Sequence, residues 1–501
     1  MQRALWRRGY ITNQKDTARA RCRSFPALGH AQASVAGKGV RRMSVFSLSN
    51  LKKTWYYLQK NGIRNAVWAV LERIGQEQEV YTWQEPDEKT LSFQREHSAS
   101  LRISIVVPAY RTKKEHLEAM LNSVSRQSYP HWELIVADAG GTAESVQAWA
   151  KKNGICLRKA ADASNLAEWK DQSIVLSTLS ENKGISANTN AGIELAAGDA
   201  VGLLDHDDLL TANALWEMAD CLEKEKKRGK QKLVLFSDED KCDKAASRFY
   251  EPNFKPDFDG EMLLTNNYIC HFTVIETAFL KELKLRSGFD GAQDYDLVLR
   301  AYAAGGQFVH VPKVLYHWRC HEASTASNPQ SKRYAYEAGQ RALEDYCLRK
   351  GWKATVSGLK HLGFYREDYE DSVFCQRPEI GIWAKPLPGG RDVFGIRHPK
   401  GFLVSGLYEN DGSMRYAGLR KGYSGPMHRA ALQQSAPAAD LRSMEVCSAL
   451  KERYAQTIAE LKEACQGLPT AAQETKILQK SMEFCKEATA AGYGILWDPQ
   501  A

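Results

Sequence analysis

The stretch from Leu101 to Gly358 predicts an α/β fold, a Rossmann-like, mostly parallel sheet flanked by helices. Three observations predict it. Short apolar runs without polar alternation, such as Ile103–Val107 and Val201–Leu204, read as buried strands, and segments with helical spacing separate them. Strand and helix in alternation imply parallel pairing through right-handed crossovers. Tyr110, Asp138 and Asp205–Asp208 arrive where apolar runs end, and such sheets bind ligands beyond the carboxyl ends of their strands.

A chain of 501 residues has room for several domains with ample core. Residues 1–42 hold ten basic residues and one acid, Asp16, with no apolar run of a secretory signal. That arm accounts for the net charge of +8, so the remainder is near neutral and no nucleic-acid partner is expected. The texture changes at Met43. Residues 1–42 therefore read as a spurious start or a disordered basic arm, and residues 43–100 as a helical segment and linker. Within 44–75, Leu51, Trp55, Leu58, Ala66, Val67, Val70 and Leu71 keep helical spacing among Lys52, Lys53, Arg64 and Arg73. Such a helix either packs on the next domain or lies peripherally on a membrane surface. Residues 76–100, rich in Glu and Gln, read as the linker. No apolar run reaches transmembrane length. Eleven scattered cysteines without a C-x-x-C pair point to a reducing cytoplasm, with neither zinc nor a disulfide framework.

From Leu101 onward the elements follow in order. Ile103–Pro108 is a strand stopped by proline, and Leu117, Met120, Leu121 and Val124 mark a helix. Glu133–Asp138 is a strand ending in Gly140-Gly141. Ser145–Asn153 is helical, Ile174–Leu176 a strand, Asn188–Ala197 helical and Val201–Leu204 a strand. Ala212–Lys224 is helical, with Asp208 a candidate N-cap. Leu233–Phe236 is a strand, and the amphipathic helix Lys332–Lys350 closes the domain.

The chemistry concentrates in Asp205-His206-Asp207-Asp208. A buried sheet end cannot hold three ionised carboxylates unpaired, because each costs several kcal/mol to desolvate. Either the turn is solvated, or a hard divalent cation sits there, taking oxygen ligands and leaving room for substrate phosphates. Other polar clusters follow: Ser237-Asp238-Glu239-Asp240-Lys241, Phe254-Lys255-Pro256-Asp257, Asn266-Asn267-Tyr268, Gln293-Asp294-Tyr295-Asp296 and His317-Trp318-Arg319-Cys320-His321. Asp238–Asp240 is either a solvated turn or a contact surface. Asp296 is spaced to orient Arg300.

Taken in order, these segments resemble a family 2 glycosyltransferase of the GT-A fold, of the kind that builds bacterial surface polysaccharides. The resemblance runs from about Arg102 to about Gly358. It rests on Ser104–Tyr110, Glu133–Asp138, Glu181–Ser186 with Asn190-Ala191-Gly192, Leu203–Asp208 as the family's D-x-D, and Gln293-Asp294. It implies a nucleotide-sugar donor bound by Pro108, Tyr110, Asp138, Asn188, Asp205 and Arg319. It implies Mn²⁺ or Mg²⁺ on Asp205, Asp207 and His321, which would offset charge on the leaving diphosphate. Asp294 would take the proton of an acceptor hydroxyl as general base, with inversion. Asp238, Glu239, Asp240 and Gln293 are offered as sugar or acceptor contacts. The acceptor implied is a growing cell-surface polysaccharide or lipid-linked glycan. Two positions depart from the family pattern: Ala139 follows Asp138 where a second acid is usual, and Gln293 precedes Asp294 where Glu is common.

Residues 101–358 are thus the catalytic domain, and 359–501 a smaller α/β region. Glu379–Trp383 and Phe402–Tyr408 read as strands, Glu409–Ser413 as a hairpin turn and Met444–Gln466 as a helix. Its late segment, Ser481–Cys485 with Ala491–Pro499, resembles a second glycosyltransferase domain stripped of its D-x-D, which implies a non-catalytic accessory region. Two other functions compete. An Asp-x-Asp phosphatase would carry its motif after the first strand, with a hydroxyl residue soon after. A non-catalytic sugar-nucleotide or glycan-binding scaffold would not need Asp205, Asp207 and Asp294 together.

Overall fold

The computed structural model describes residues 81–161, 169–320, 333–358, 362–384, 406–407, 444–464 and 471–497. In chain order these form α1 (Glu88–Glu96), β1 (Ile103–Ala109), α2 (Lys114–Ser125), β2 (Trp132–Asp138), α3 (Ala143–Asn153), β3 (Cys156–Lys159), β4 (Ser173–Thr178), α4 (Ile185–Leu195), β5 (Ala200–Leu203), β6 (Leu209–Leu210), α5 (Ala214–Lys227), β7 (Leu233–Cys242) and β8 (Phe249–Asn253). They continue with α6 (Gly260–Thr265), β9 (Thr273–Glu276), α7 (Thr277–Leu283), α8 (Gln293–Ala303), β10 (Gln307–Arg319), α9 (Arg333–Lys350), β11 (Ala354–Gly358), β12 (Tyr365–Tyr369), α10 (Val373–Gln376) and β13 (Ile380–Ala384). The last described elements are β14 (Gly406–Leu407), β15 (Met444–Val446), α11 (Lys451–Ala464), α12 (Ala471–Ala490) and β16 (Gly494–Trp497).

Ten strands form one sheet in the order β3-β4-β2-β1-β5-β9-β7-β10-β6, with β8 on β7. From β3 to β5 every pairing is parallel. β9 runs antiparallel between β5 and β7, and β7 pairs parallel with β10. The sheet is therefore mostly parallel where the apolar runs are longest, as the sequence predicts. Side chains alternate between two cores, because successive residues of a strand face opposite ways. Ile105 and Val107 join Leu117, Met120, Trp149 and Met218 on one face; Val106, Ile135 and Val201 join Ile193, Leu280 and Leu297 on the other. Each fully buried side chain of this kind contributes about 1.5–3 kcal/mol. Gly192 lets α4 approach the sheet closely: a Cβ there would lie 2.7 Å from Val106 Cγ1.

β1 sits between β2, which follows it, and β5, which arrives four strands after it. The chain leaves β1 in opposite directions on its two sides, and a crevice opens beyond the strand ends at such a switch point.

Three elements differ from expectation. Residues 76–100 are not simply a linker. Asp87 accepts from the Thr90 N–H to cap α1, and Gln94 is buried, donating to Glu217 and accepting from Ser128. The residue at the N-cap of α5 is Asn213, not Asp208. The helix expected from Met444 begins at Lys451, because Met444–Val446 pairs antiparallel with β13. The helix expected over 44–75 and the turn over 409–413 lie outside the described residues.

Residues beyond Gly358 share a core with the sheet. Ile382, Met444, Phe484 and Ile495 belong to one buried cluster with Phe236, Leu263, Tyr295 and Leu343. β11 and β12 form an antiparallel pair, and β14-β16-β13-β15 a second small sheet. Among the described residues, no helix is long and apolar enough to cross a membrane.

Candidate active site

The expected site residues gather at the ends of β1, β2 and β5. Pro108 lies in β1 opposite Ala137 of β2. Tyr110 follows, 39% exposed, with the Arg111 guanidinium 5.1 Å from its ring centre. Gly140, at φ +139°, passes beside that ring, where a Cβ would lie 3.6 Å away. Asp138 is buried, and its carboxylate accepts from the N–H groups of Gly140 (3.0 Å), Thr142 (3.2 Å) and Ala143 (2.8 Å). Asp138 thereby shapes the turn facing Tyr110. Asn188 is likewise buried and ties its own loop, donating to Asn182 at 2.8 Å and accepting from the Lys183 N–H at 3.4 Å.

The Asp205–Asp208 turn leaves β5 and is held from the far side by β10. β6, immediately after the turn, pairs antiparallel with β10 through Leu209 and His317. Asp208 is buried and accepts from Tyr316 Oη at 2.6 Å and from the Arg319 N–H at 2.7 Å. Arg319, also buried, donates to the Asp207 carbonyl at 2.5 Å and to the Lys244 carbonyl at 2.6 Å. Arg319 therefore braces the acidic turn from behind. Gln293 opens α8 and accepts from the Gly291 N–H at 2.8 Å. Asp294, one residue on, accepts from Asn267 Nδ2 at 2.7 Å. Asp296 accepts from Arg300 Nε at 2.9 Å, the pairing its spacing predicts.

The electrostatics join these parts. Burial lifts the Asp205 pKa; His271 and His206 offset part of the rise, and Asp207 and Asp294 add to it. Burial, with the charges of Asp207 and Asp205, pushes Asp208 well above the usual carboxylate range. Asp205 and Asp294, from distant parts of the chain, thus share one electrostatic environment.

Asp205, Asp208 and His271 each offer a ligand atom, all within 4.8 Å of one another. Two carboxylates and an imidazole suit a divalent cation that accepts oxygen with some nitrogen, such as Mn²⁺, and the crowded negative charge favours one. These candidate metal-binding residues fit the expected ion. The set overlaps the expected one in Asp205. Asp207 is outside the group of three, and His321 lies outside the described residues.

Asp238–Asp240 differs most from expectation. It is neither a solvated turn nor a row of outward contacts, but the buried interior of β7. Asp238 meets His310 Nε2 at 2.8 Å and the Lys255 N–H at 2.9 Å. Asp240 meets Tyr81 Oη at 2.7 Å and His317 Nδ1 at 2.5 Å. Asp238 and Asp240 therefore turn inward, since buried carboxylates require such partners. Glu239 accepts from Asn253 Nδ2 at 3.1 Å and from the His271 N–H at 3.3 Å.

Sequence reasoning missed His271 and left Asn267 without a role. Both lie in the loop between α6 and β9. Its only signal is a polar cluster, Asn266-Asn267, between apolar runs, which marks a loop and nothing more.

The site thus combines a mostly parallel α/β sheet, an acidic turn at its switch point and a second carboxylate, Asp294, that acts on Asp205 electrostatically. Residues 104–283 match the model of the family described as glycosyl transferase family 2. It is 36% identical over 255 residues to uncharacterized protein y4gI of Sinorhizobium fredii, covering 50% of this chain and 26% of that one. It is 33% identical over 256 residues to O-antigen biosynthesis protein RfbC of Myxococcus xanthus, covering 51% and 19%. The chain thus spans about a quarter or less of these two relatives. Among solved structures it is similar to S. aureus TarS 1–349 in complex with UDP, at 18% identity and a TM-score of 0.36, covering 50% of this chain and 66% of that one.

Proposed function

We propose that this chain transfers a sugar from a nucleotide-sugar donor to a hydroxyl of a growing cell-surface polysaccharide or lipid-linked glycan, with inversion. The observation that carries the reading is that one loop, between α6 and β9, touches both acids: its Asn267 donates to Asp294 at 2.7 Å, and its His271 lies within 4.8 Å of Asp205 and Asp208. The family match over 104–283 supports the reaction type, and the similarity to an O-antigen biosynthesis protein supports the acceptor class.

Tyr110, with its stacked guanidinium and open face, receives the base. Pro108 and the turn shaped by Asp138 border the ribose. Asp205, Asp208 and His271, whose ligand atoms converge, would hold Mn²⁺ or Mg²⁺, with Asp207 beside the two acids in the same turn. That ion, when bound, stabilises negative charge on the departing diphosphate. Asp294 accepts the proton of the acceptor hydroxyl as that oxygen bonds to the anomeric carbon and the carbon–phosphate oxygen bond breaks. The proton ends on the Asp294 carboxylate, and the single displacement inverts the centre. Residues 359–501 act as a non-catalytic accessory region that helps hold the acceptor. The chain works at the cytoplasmic face of a membrane, with residues 44–75 as the peripheral contact.

A thermal-shift and consumption screen with UDP-, dTDP- and GDP-sugars tests this, each with and without Mn²⁺. One nucleotide class should raise the melting temperature and be consumed only with metal. Protein that neither responds to nor consumes any of them does not have this function.

A further inference from the structure

The loop joining α6 to β9 touches both halves of the site. Asn267 Nδ2 donates to Asp294 Oδ2 at 2.7 Å, while Asn267 Oδ1 accepts from the Cys270 N–H at 3.3 Å. Asn267 is therefore fixed at both ends of its amide. The Cys270 thiol lies 3.9 Å from the same carboxylate oxygen. Lys255 anchors the loop from beneath. Its ammonium is 0% exposed, donates to the carbonyls of Ile269 and His271, and lies 3.6 Å from Glu239. Glu239 in turn accepts from the His271 N–H. A buried ammonium bound to two carbonyls and a carboxylate leaves the loop little freedom, because any shift strands a charge out of water. Lys255 and Glu239 thus hold the segment that carries Asn267 and His271.

We propose that Asn267 is a positioning residue for the general base: its amide fixes the plane of the Asp294 carboxylate and so aims Oδ1 at the acceptor hydroxyl, on a loop locked by Lys255 and Glu239. The inference rests on the reading of Asp294 as base. An amide suits this position because it offers a donor to Asp294 and an acceptor to Cys270. A carboxylate of the same size would keep the second contact and replace the first with repulsion.

That difference supplies the test. Wild type, N267A, N267D and D294N are compared as full chains, using whichever UDP-, dTDP- or GDP-sugar wild type consumes with Mn²⁺. Circular dichroism and melting temperature establish that each variant is folded. Misaiming the base should lower kcat about 100-fold in N267A, with donor KM within about twofold of wild type. N267D should be impaired at least as much as N267A, although it retains the Cys270 contact. Adding N267A to D294N should cause no further loss, because the two act through one group. An active N267D beside an impaired N267A would overturn the proposal, since only loop structure would then matter. Wild-type kcat in both variants would overturn it as well. Normal turnover by D294N removes the base assignment itself, an outcome distinct from either.

Discussion

Replacing Arg377 with methionine should destabilise the whole described body, not only the region that contains it. Arg377 forms a double contact with Glu261 of α6, with both N–O distances at 2.6 Å. Its side chain is 5% exposed and that of Glu261 6%. The guanidinium also lies 4.7 Å from the Trp352 ring centre and donates to Glu379 at 2.9 Å. The Arg377→Met variant leaves the Glu261 carboxylate buried and uncompensated, which costs about 3–5 kcal/mol. Replacing both residues by apolar ones of similar volume removes the stranded charge, so R377M/E261L should recover to within about 2 kcal/mol of wild type. The pair should therefore show a coupling energy of at least about 1 kcal/mol in a double-mutant cycle. Urea unfolding followed by circular dichroism reads these differences. Because Phe236, Leu263, Met444 and Phe484 share one core, wild type should unfold in a single transition. A shift below about 1 kcal/mol for R377M, or a double variant no better than the single, would refute the argument.

Further outcomes follow from the same structure. Burial opposes charge on His310, but hydrogen bonds to Asp238 and Asp257 outweigh it and raise its pKa. The stability this contributes is complete below about pH 6.5 and is lost as pH rises through the elevated folded value. H310Q should flatten that part of the pH dependence in urea midpoints. Asp205→Asn should abolish the Mn²⁺-induced rise in melting temperature, whereas in wild type saturation at about 100 times Kd adds about 2.7 kcal/mol. Gly192→Ala should cost about 1–3 kcal/mol by overpacking α4 against Val106, read as a lowered urea midpoint with unchanged slope.

Much of the fold was legible because its strands are continuous apolar runs. β1, β2 and β5 each read directly, and so did the acids at their ends, because the apolar run stops there. Asp296 with Arg300 was legible because helical neighbours obey a spacing rule. β9 was not: Thr273–Glu276 has only two apolar residues between polar ends, too little pattern to separate from a loop. Asp238–Asp240 misled for a different reason. Its partners come from three separate segments, Tyr81, Lys255, and β10 with His310 and His317, and no spacing along the chain records a nonlocal hydrogen bond. The same holds for Asn267 with Asp294 and for His271 with Asp205. Asp208 read as a helix cap by residue type alone, whereas Tyr316 and Arg319 of β10 occupy its carboxylate.

The central claim is that Asp294 removes the acceptor proton beside a donor held at the Asp205–Asp208 turn. The most direct measurement compares D294N with wild type in single-turnover transfer, alongside donor binding measured by calorimetry. Removing a general base should lower the rate about 10²–10⁴-fold while leaving donor affinity within about threefold, because the amide keeps the shape of the site. A D294N variant that binds donor and transfers sugar at the wild-type rate would contradict the account.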